Sequence, residues 1–188
     1  MSAFRQTGFT IVELLVTIVV IAILASVSLI AYTGIQDRAR NTQVISLVNQ
    51  WGKTLSIYAS LADGYPTGNA EYVCLGTDFP ADAPFATDQC MVTSGWGVST
   101  DDALMDTIRN TSGVVIPNSR LNKVSFIDHD NNTQYYRGLL YLNRNGGIGI
   151  TYVLKGDGNA CTNGDGFFEL EDYVACRRVL QGDPYQGL

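Results

Sequence analysis

One histidine, His129, stands in 188 residues. It lies between Asp128 and Asp130 in a polar turn and reads as a solvated turn residue rather than a base or a ligand. No CxxC and no histidine partner accompany the cysteines, which removes the usual zinc frameworks. No GxSxG elbow and no phosphate-cradling glycine loop is present. An enzyme reading therefore has no constellation to stand on, and none is expected. Charge is scarce too: 16% of residues, with 12 Lys+Arg against 18 Asp+Glu and a net charge of −6. That balance argues against general nucleic-acid binding, which usually needs a basic surface. A local patch of Arg137, Arg144, Arg177 and Arg178 is the one exception the sequence allows. With 46% hydrophobic residues the chain is not disordered. Its length suits one domain, or one domain and an anchor.

The apolar residues crowd the start. Residues 9–32 read FTIVELLVTIVVIAILASVSLIAY, 24 residues with a single charge, Glu13. As a helix this run would reach about 36 Å, enough to cross a bilayer core with some tilt. A secretory signal peptide is the alternative, and Ala25 and Ser26 are small enough for its cleavage site. Its apolar region is usually shorter, about 7–15 residues, and its leader more basic; here Arg5 is the only charge before the run. Glu13 is the informative residue. A carboxylate inside an apolar segment is costly, and it marks function when a partner can be named. Near the start of the run it can also snorkel to the interface, but that does not explain the residues before it.

Gly8-Phe9-Thr10-Ile11-Val12-Glu13-Leu14-Leu15-Val16 resembles the prepilin signature of type IV pilins and type II secretion pseudopilins. The pattern is Gly, Phe, a short apolar stretch, Glu at the fifth mature position, then a long apolar helix. The resemblance covers roughly residues 1–62 by sequence. It implies that a membrane prepilin peptidase cuts after Gly8 and methylates the new amine of Phe9. It also implies that Glu13 pairs with that amine on a neighbouring subunit as a helical filament grows. A buried carboxylate is tolerable when paired and costly when alone, so cleavage licenses assembly. The other implied partners are pilin subunits and an inner-membrane assembly machinery. The implied location is a single pass through the cytoplasmic membrane before assembly, with the C-terminal domain extracytoplasmic, then the pilus or cell surface. Charge counting does not give that orientation. The leader is poor in Lys and Arg, and Arg38 and Arg40 beyond the span pull the other way. A second departure is Ile30, which stands where many pilins have a kinking proline; Gly34 is the nearest helix weakener.

Beyond the membrane run, Val44, Val48, Trp51, Leu55, Tyr58 and Ala62 recur at helical steps, with Gln43, Asn49, Gln50 and Lys53 off the stripe. Asp63-Gly64 and Tyr65-Pro66 then stop the helix. The expected fold is α+β and pilin-like: one long helix, about 9–62, packed on a C-terminal antiparallel sheet. The expected divisions are a leader (1–8), a transmembrane and filament-core half of the helix (9–32), an amphipathic half (33–62), an acidic connecting region with one short helix (63–120), and the sheet with a C-terminal disulfide loop (121–188). The short helix is placed at 101–109, capped by Ser99 or Thr100. Strands are expected at 124–128, 133–143 and 173–180, and a half-buried strand at 148–154 follows an Asn145-Gly146 hairpin turn.

The connecting region is lopsided. From Thr54 to Ile108 there is no Lys or Arg, and there are eight acids. These acids face either solvent or the basic strands of an adjacent subunit; in the second case reversing Arg177 and Arg178 lowers filament yield without unfolding the chain. Cys74, Cys90, Cys161 and Cys176 allow three pairings. The local one, Cys74 with Cys90 and Cys161 with Cys176, closes two loops of similar length, and an exported domain favours disulfides. The second loop would resemble the C-terminal disulfide loop of many pilins. No cofactor is expected, although Asp157, Asn159, Asp165 and Glu169 could form an irregular calcium site. Asp128-His129-Asp130-Asn131-Asn132 begins like a calcium loop but lacks its central Gly and terminal Glu. The function read here is a structural filament subunit of the type IV pilus kind. The alternatives are a type II secretion pseudopilin and a singly anchored extracytoplasmic binding domain.

Overall fold

The computed structural model describes residues 9–68, 70–127, 131–161, 167–170 and 172–182. The chain divides into two units, residues 1–39 and 40–188. Helix α1 (Ile11–Ala62) runs from the first into the second. It ends as Asp63-Gly64 demands. Asp63 takes a left-handed φ of 57°, and the Gly64 N–H reaches back to the Ala59 carbonyl at 3.2 Å, a Schellman closure.

The second unit is an α+β arrangement of the pilin kind. Its strands are β1 (Tyr72–Leu75), β2 (Gln89–Thr93), β3 (Trp96–Ser99), β4 (Val124–Ile127), β5 (Thr133–Tyr136), β6 (Leu139–Arg144), β7 (Gly147–Lys155), β8 (Phe167–Leu170) and β9 (Tyr173–Gln181). They form two antiparallel sheets, ordered β1-β6-β7-β9-β8 and β3-β2-β5-β4. Helix α2 (Asp102–Ser112) lies between β3 and β4 in sequence.

Three layers result. Val44, Leu47, Val48, Trp51, Leu55 and Tyr58 of α1, with Leu104, Met105 and Ile108 of α2, pack on one face of the larger sheet through Leu139, Tyr141, Ile150, Tyr152 and Leu154. The other face meets the smaller sheet through Phe79, Met91, Val98, Phe126, Tyr136, Leu140 and Val153. So β7 is buried on both faces, not half-buried as its alternation suggested. The second layer comes from strands that its own sequence does not announce. Of the α1 stripe, Ala62 alone is exposed, because it sits on the last turn.

Polar bonds tie α1 and the loops beside it to the rest of the second unit. Trp51 Nε1 donates to the buried Ser119 hydroxyl at 2.5 Å. Asn41 brackets the end of β7, donating to the Lys155 carbonyl at 2.8 Å and accepting from its N–H at 3.0 Å. The Tyr141 hydroxyl donates to the Pro66 carbonyl at 2.7 Å. Burial pushes that phenol's pKa up, so it remains a donor through ordinary pH.

The expected run 133–143 is two strands in two different sheets. The change occurs at Arg137-Gly138. A Cβ on Gly138 would sit 2.8 Å from Cys90 Cβ and 3.1 Å from the Phe79 ring, so only glycine passes this close to the Cys74–Cys90 bridge. Gly138→Ala is expected to destabilise the domain by about 1–3 kcal/mol through overpacking. Thermal unfolding of the full chain checks this, and an unchanged midpoint would show that the corner relaxes freely. The hairpin at Asn145-Gly146 is as expected, with φ of 53° and 77°, the two positive angles of a type I′ turn.

The region 63–120 needs correcting: it holds β1, β2 and β3 as well as a helix. That helix begins at Asp102 and is capped by Asp101, not Ser99 or Thr100; Asp101 Oδ1 accepts from the Leu104 N–H at 3.0 Å. Seven of the eight acids, Asp101 included, have a place within the chain. Asp63, Asp78 and Asp88 occupy left-handed turn positions, which aspartate tolerates better than most residues. Glu71 pairs with Arg144 and Asp82 with Lys123, each at 3.2 Å, and Asp106 pairs with Arg109.

Candidate functional site

The N-terminal unit is built around a greasy helix that its own chain does not cover. From Ile11 to Ser28, 18 residues, the helix is long and apolar enough to cross a membrane, and none of the segment is buried. Its apolar side chains lie all round the axis rather than on one stripe, which suits lipid or a helical bundle and not a single domain face. This fits membrane anchoring before assembly into a surface filament. Helical geometry continues through Gly34.

Glu13 sits in the first turn, and the local sequence dictates its pose. The Thr10 hydroxyl accepts from the Glu13 N–H at 3.2 Å, while Glu13 Oε2 accepts from the Thr10 N–H at 2.9 Å and from its hydroxyl at 2.8 Å. This is a reciprocal capping box, which satisfies backbone donors that a helix start leaves open. The carboxylate is thereby turned back onto Thr10, the cap residue that follows Phe9. Oε2 is fully engaged, whereas Oε1 has no acceptor role among the described residues. Thr10 is a positioning residue that the prepilin pattern did not single out; the signal is the spacing Thr-x-x-Glu before an apolar run. Phe9 is 79% exposed. Gly8, and with it the expected cleavage point, lies outside the described residues.

In the second unit the cysteines are joined locally. Cys74–Cys90 has its sulfurs 2.06 Å apart and Cys161–Cys176 2.03 Å. The first is buried where β1, β2 and β6 meet. The second ties a 3-10 turn, Gly158–Ala160, to β9. Of the candidate calcium ligands, Asp157 caps that turn, and both its oxygens accept from Asn159, from the N–H at 3.1 Å and from Nδ2 at 3.2 Å. Asp165 and the side chain of Glu169 lie outside what the structure describes, as do Asp128, His129 and Asp130. Among the described residues no three His, Cys, Asp or Glu side chains gather into a metal site.

The four arginines do not make a patch. Arg137 is buried. Arg144 pairs with Glu71. Arg177 is half-buried. Arg178 lies over Gly52 and donates to Asn49 Oδ1 at 2.7 Å. Reversal of Arg178 would therefore disturb the packing of α1 in the monomer, so it does not isolate a contact between subunits.

No curated protein and no solved structure matches this chain. Residues 3–29 match the model of the prokaryotic N-terminal methylation motif. That motif implies processing by prepilin peptidase and assembly with other pilin subunits, a structural role rather than a catalytic one. Glu13, Phe9 and the uncovered helix all fall within the matched segment, so the N-terminal end of this chain carries the methylation motif, which supports a type IV pilin-like or pseudopilin subunit.

Proposed function

We propose that the chain is a structural subunit of a type IV pilus-like filament, cut after Gly8, methylated at Phe9 and polymerised through α1, without catalysis. The observation that carries this reading is the pose of Glu13. It is held one turn from Phe9 with one carboxylate oxygen unengaged among the described residues, at the start of an apolar segment, Ile11 to Ser28, none of which is buried. A cleaved Phe9 amine from a second copy would supply the opposite charge in the same apolar layer, which is what a carboxylate there requires. The domain of residues 40–188 then lies on the extracytoplasmic side, where its two disulfides are stable. No cofactor enters this reading.

Fractionation tests it. Surface filaments sheared from cells are expected to contain the chain in its mature form. Retention in the envelope alone, with loss of protein export when the chain is deleted, would replace the pilus by a secretion pseudopilus. A chain that enters no filament of either kind would leave the singly anchored domain.

A further inference from the structure

Arg137 is 5% exposed, and a buried cation needs compensation. What it has is incomplete. Its Nε donates to the Gln89 carbonyl at 2.7 Å and its Nη2 to the Ala86 carbonyl at 3.3 Å. The guanidinium lies 4.2 Å from the centre of the Phe85 ring and 5.6 Å from that of Phe79. Nη1 has no acceptor among the described residues, and no carboxylate among them lies within ion-pair distance of Arg137.

The residue lines a cleft of about 350 Å³. Arg120 and Lys123 line it too, with Asp82 as the only acid among the lining residues. Lys123 is already held in place, by Asp82 at 3.2 Å and by the Ala83 carbonyl at 3.0 Å. Arg120 is exposed. Burial first, and then the charge of Arg120, push the pKa of Arg137 down against the pull of Asp82 and Asp88. The pocket thus carries more positive charge than its own carboxylates offset. It also presents a guanidinium packed beside the Phe85 and Phe79 rings, which loses little freedom on binding.

We propose that this cleft binds one oxyanion group of a small ligand, a carboxylate or a phosphate, with Arg137 Nη1 as the inner donor and Arg120 and Lys123 as the outer cations. An anion there completes the fork of Arg137 and balances the local charge. The site is separate from the N-terminal segment and does not depend on filament formation.

The test is an NMR titration of the full chain in non-ionic detergent, with inorganic phosphate and acetate as separate probes and chloride holding ionic strength constant. Saturable shifts are expected at the Arg137 side-chain N–H groups and at the backbone amides of residues 120–123. Saturation by phosphate alone assigns a phosphate ligand, and saturation by acetate alone a carboxylate one. The double variant Arg120→Gln/Lys123→Gln changes only the outer cations and should retain the fold, as circular dichroism can verify. Its affinity is expected to fall about tenfold or more with the loss of two charge-assisted contacts. Arg137→Lys keeps the charge but loses the fork, and should weaken binding further. No saturation by either probe, or equal affinity in the double variant, would overturn the proposal.

Discussion

Glu13→Ala is expected to leave the chain in the membrane and to cut its incorporation into filaments by about tenfold or more, the scale of losing one partner of a desolvated charge pair. The carboxylate has two jobs in this structure. It caps α1 through Thr10 with Oε2, and Oε1 accepts no hydrogen bond among the described residues. Loss of the cap matters little to insertion, because a lipid-embedded backbone must remain helical to satisfy its own donors and acceptors. Removing a charge from an apolar run makes insertion easier. Loss of the charge matters to assembly, since the amine of an incoming Phe9 would then have no counterion. Glu13→Gln separates the two roles. It keeps an oxygen for Thr10 but no charge, so it should insert normally and assemble poorly. Thr10→Val does the reverse, keeping the charge but freeing its pose, and is expected to have an intermediate effect. Membrane flotation and immunoblots of sheared filaments measure both sides. Normal filaments from Glu13→Ala would remove the charge pair from the mechanism.

Trp51→Ala is expected to destabilise the domain by about 3–5 kcal/mol, lowering its unfolding midpoint by about 10 °C. Trp51 has no exposed surface and is the largest fully buried side chain. It fills the space between α1 and the larger sheet, and its truncation leaves a cavity that helix and sheet cannot both close. It also strands the Ser119 hydroxyl, which is 1% exposed and receives the indole N–H. Trp51→Phe keeps most of the volume and loses only the donor, so about 1–2 kcal/mol is expected. Denaturation of the full chain in non-ionic detergent, followed by near-ultraviolet circular dichroism, gives the ranking. Equal effects of Ala and Phe would mean that the hydrogen bond, not the packing, holds the helix down.

What the sequence made legible is local. The stripe from Val44 to Tyr58, the stop at Asp63-Gly64 and the turn at Asn145-Gly146 each depend on neighbours within a few residues. Periodicity and turn chemistry report them directly. The strands β1, β2 and β3 have only four or five residues each, too few for alternation to speak. Tyr72 finds its partner at Leu142, a pairing no local pattern encodes. The sheet change at Gly138 was hidden for the same reason, since its cause is the Cys90 side chain 48 positions earlier. Asp78, Asp88 and Asp101 looked like a charged surface because composition counts charges and does not see turns and caps.

At the candidate site the balance is different. Glu13 stands out because a charge in an apolar run is rare on energetic grounds alone, and Phe9 only through the resemblance to the prepilin signature. Thr10 did not, although its spacing to Glu13 carries a capping signature. Arg137 read as one more surface cation. Its burial follows from the bend after it and from Phe79 and Phe85, which are distant in sequence.

The central claim is that Phe9 becomes a terminus whose amine meets Glu13. Intact mass and N-terminal sequencing of the chain, taken from its own membranes or surface filaments, test it most directly. The account predicts a mature chain that begins at N-methylated Phe9, without residues 1–8. A chain that still begins at Met1, in a host whose prepilin peptidase is active, would contradict it.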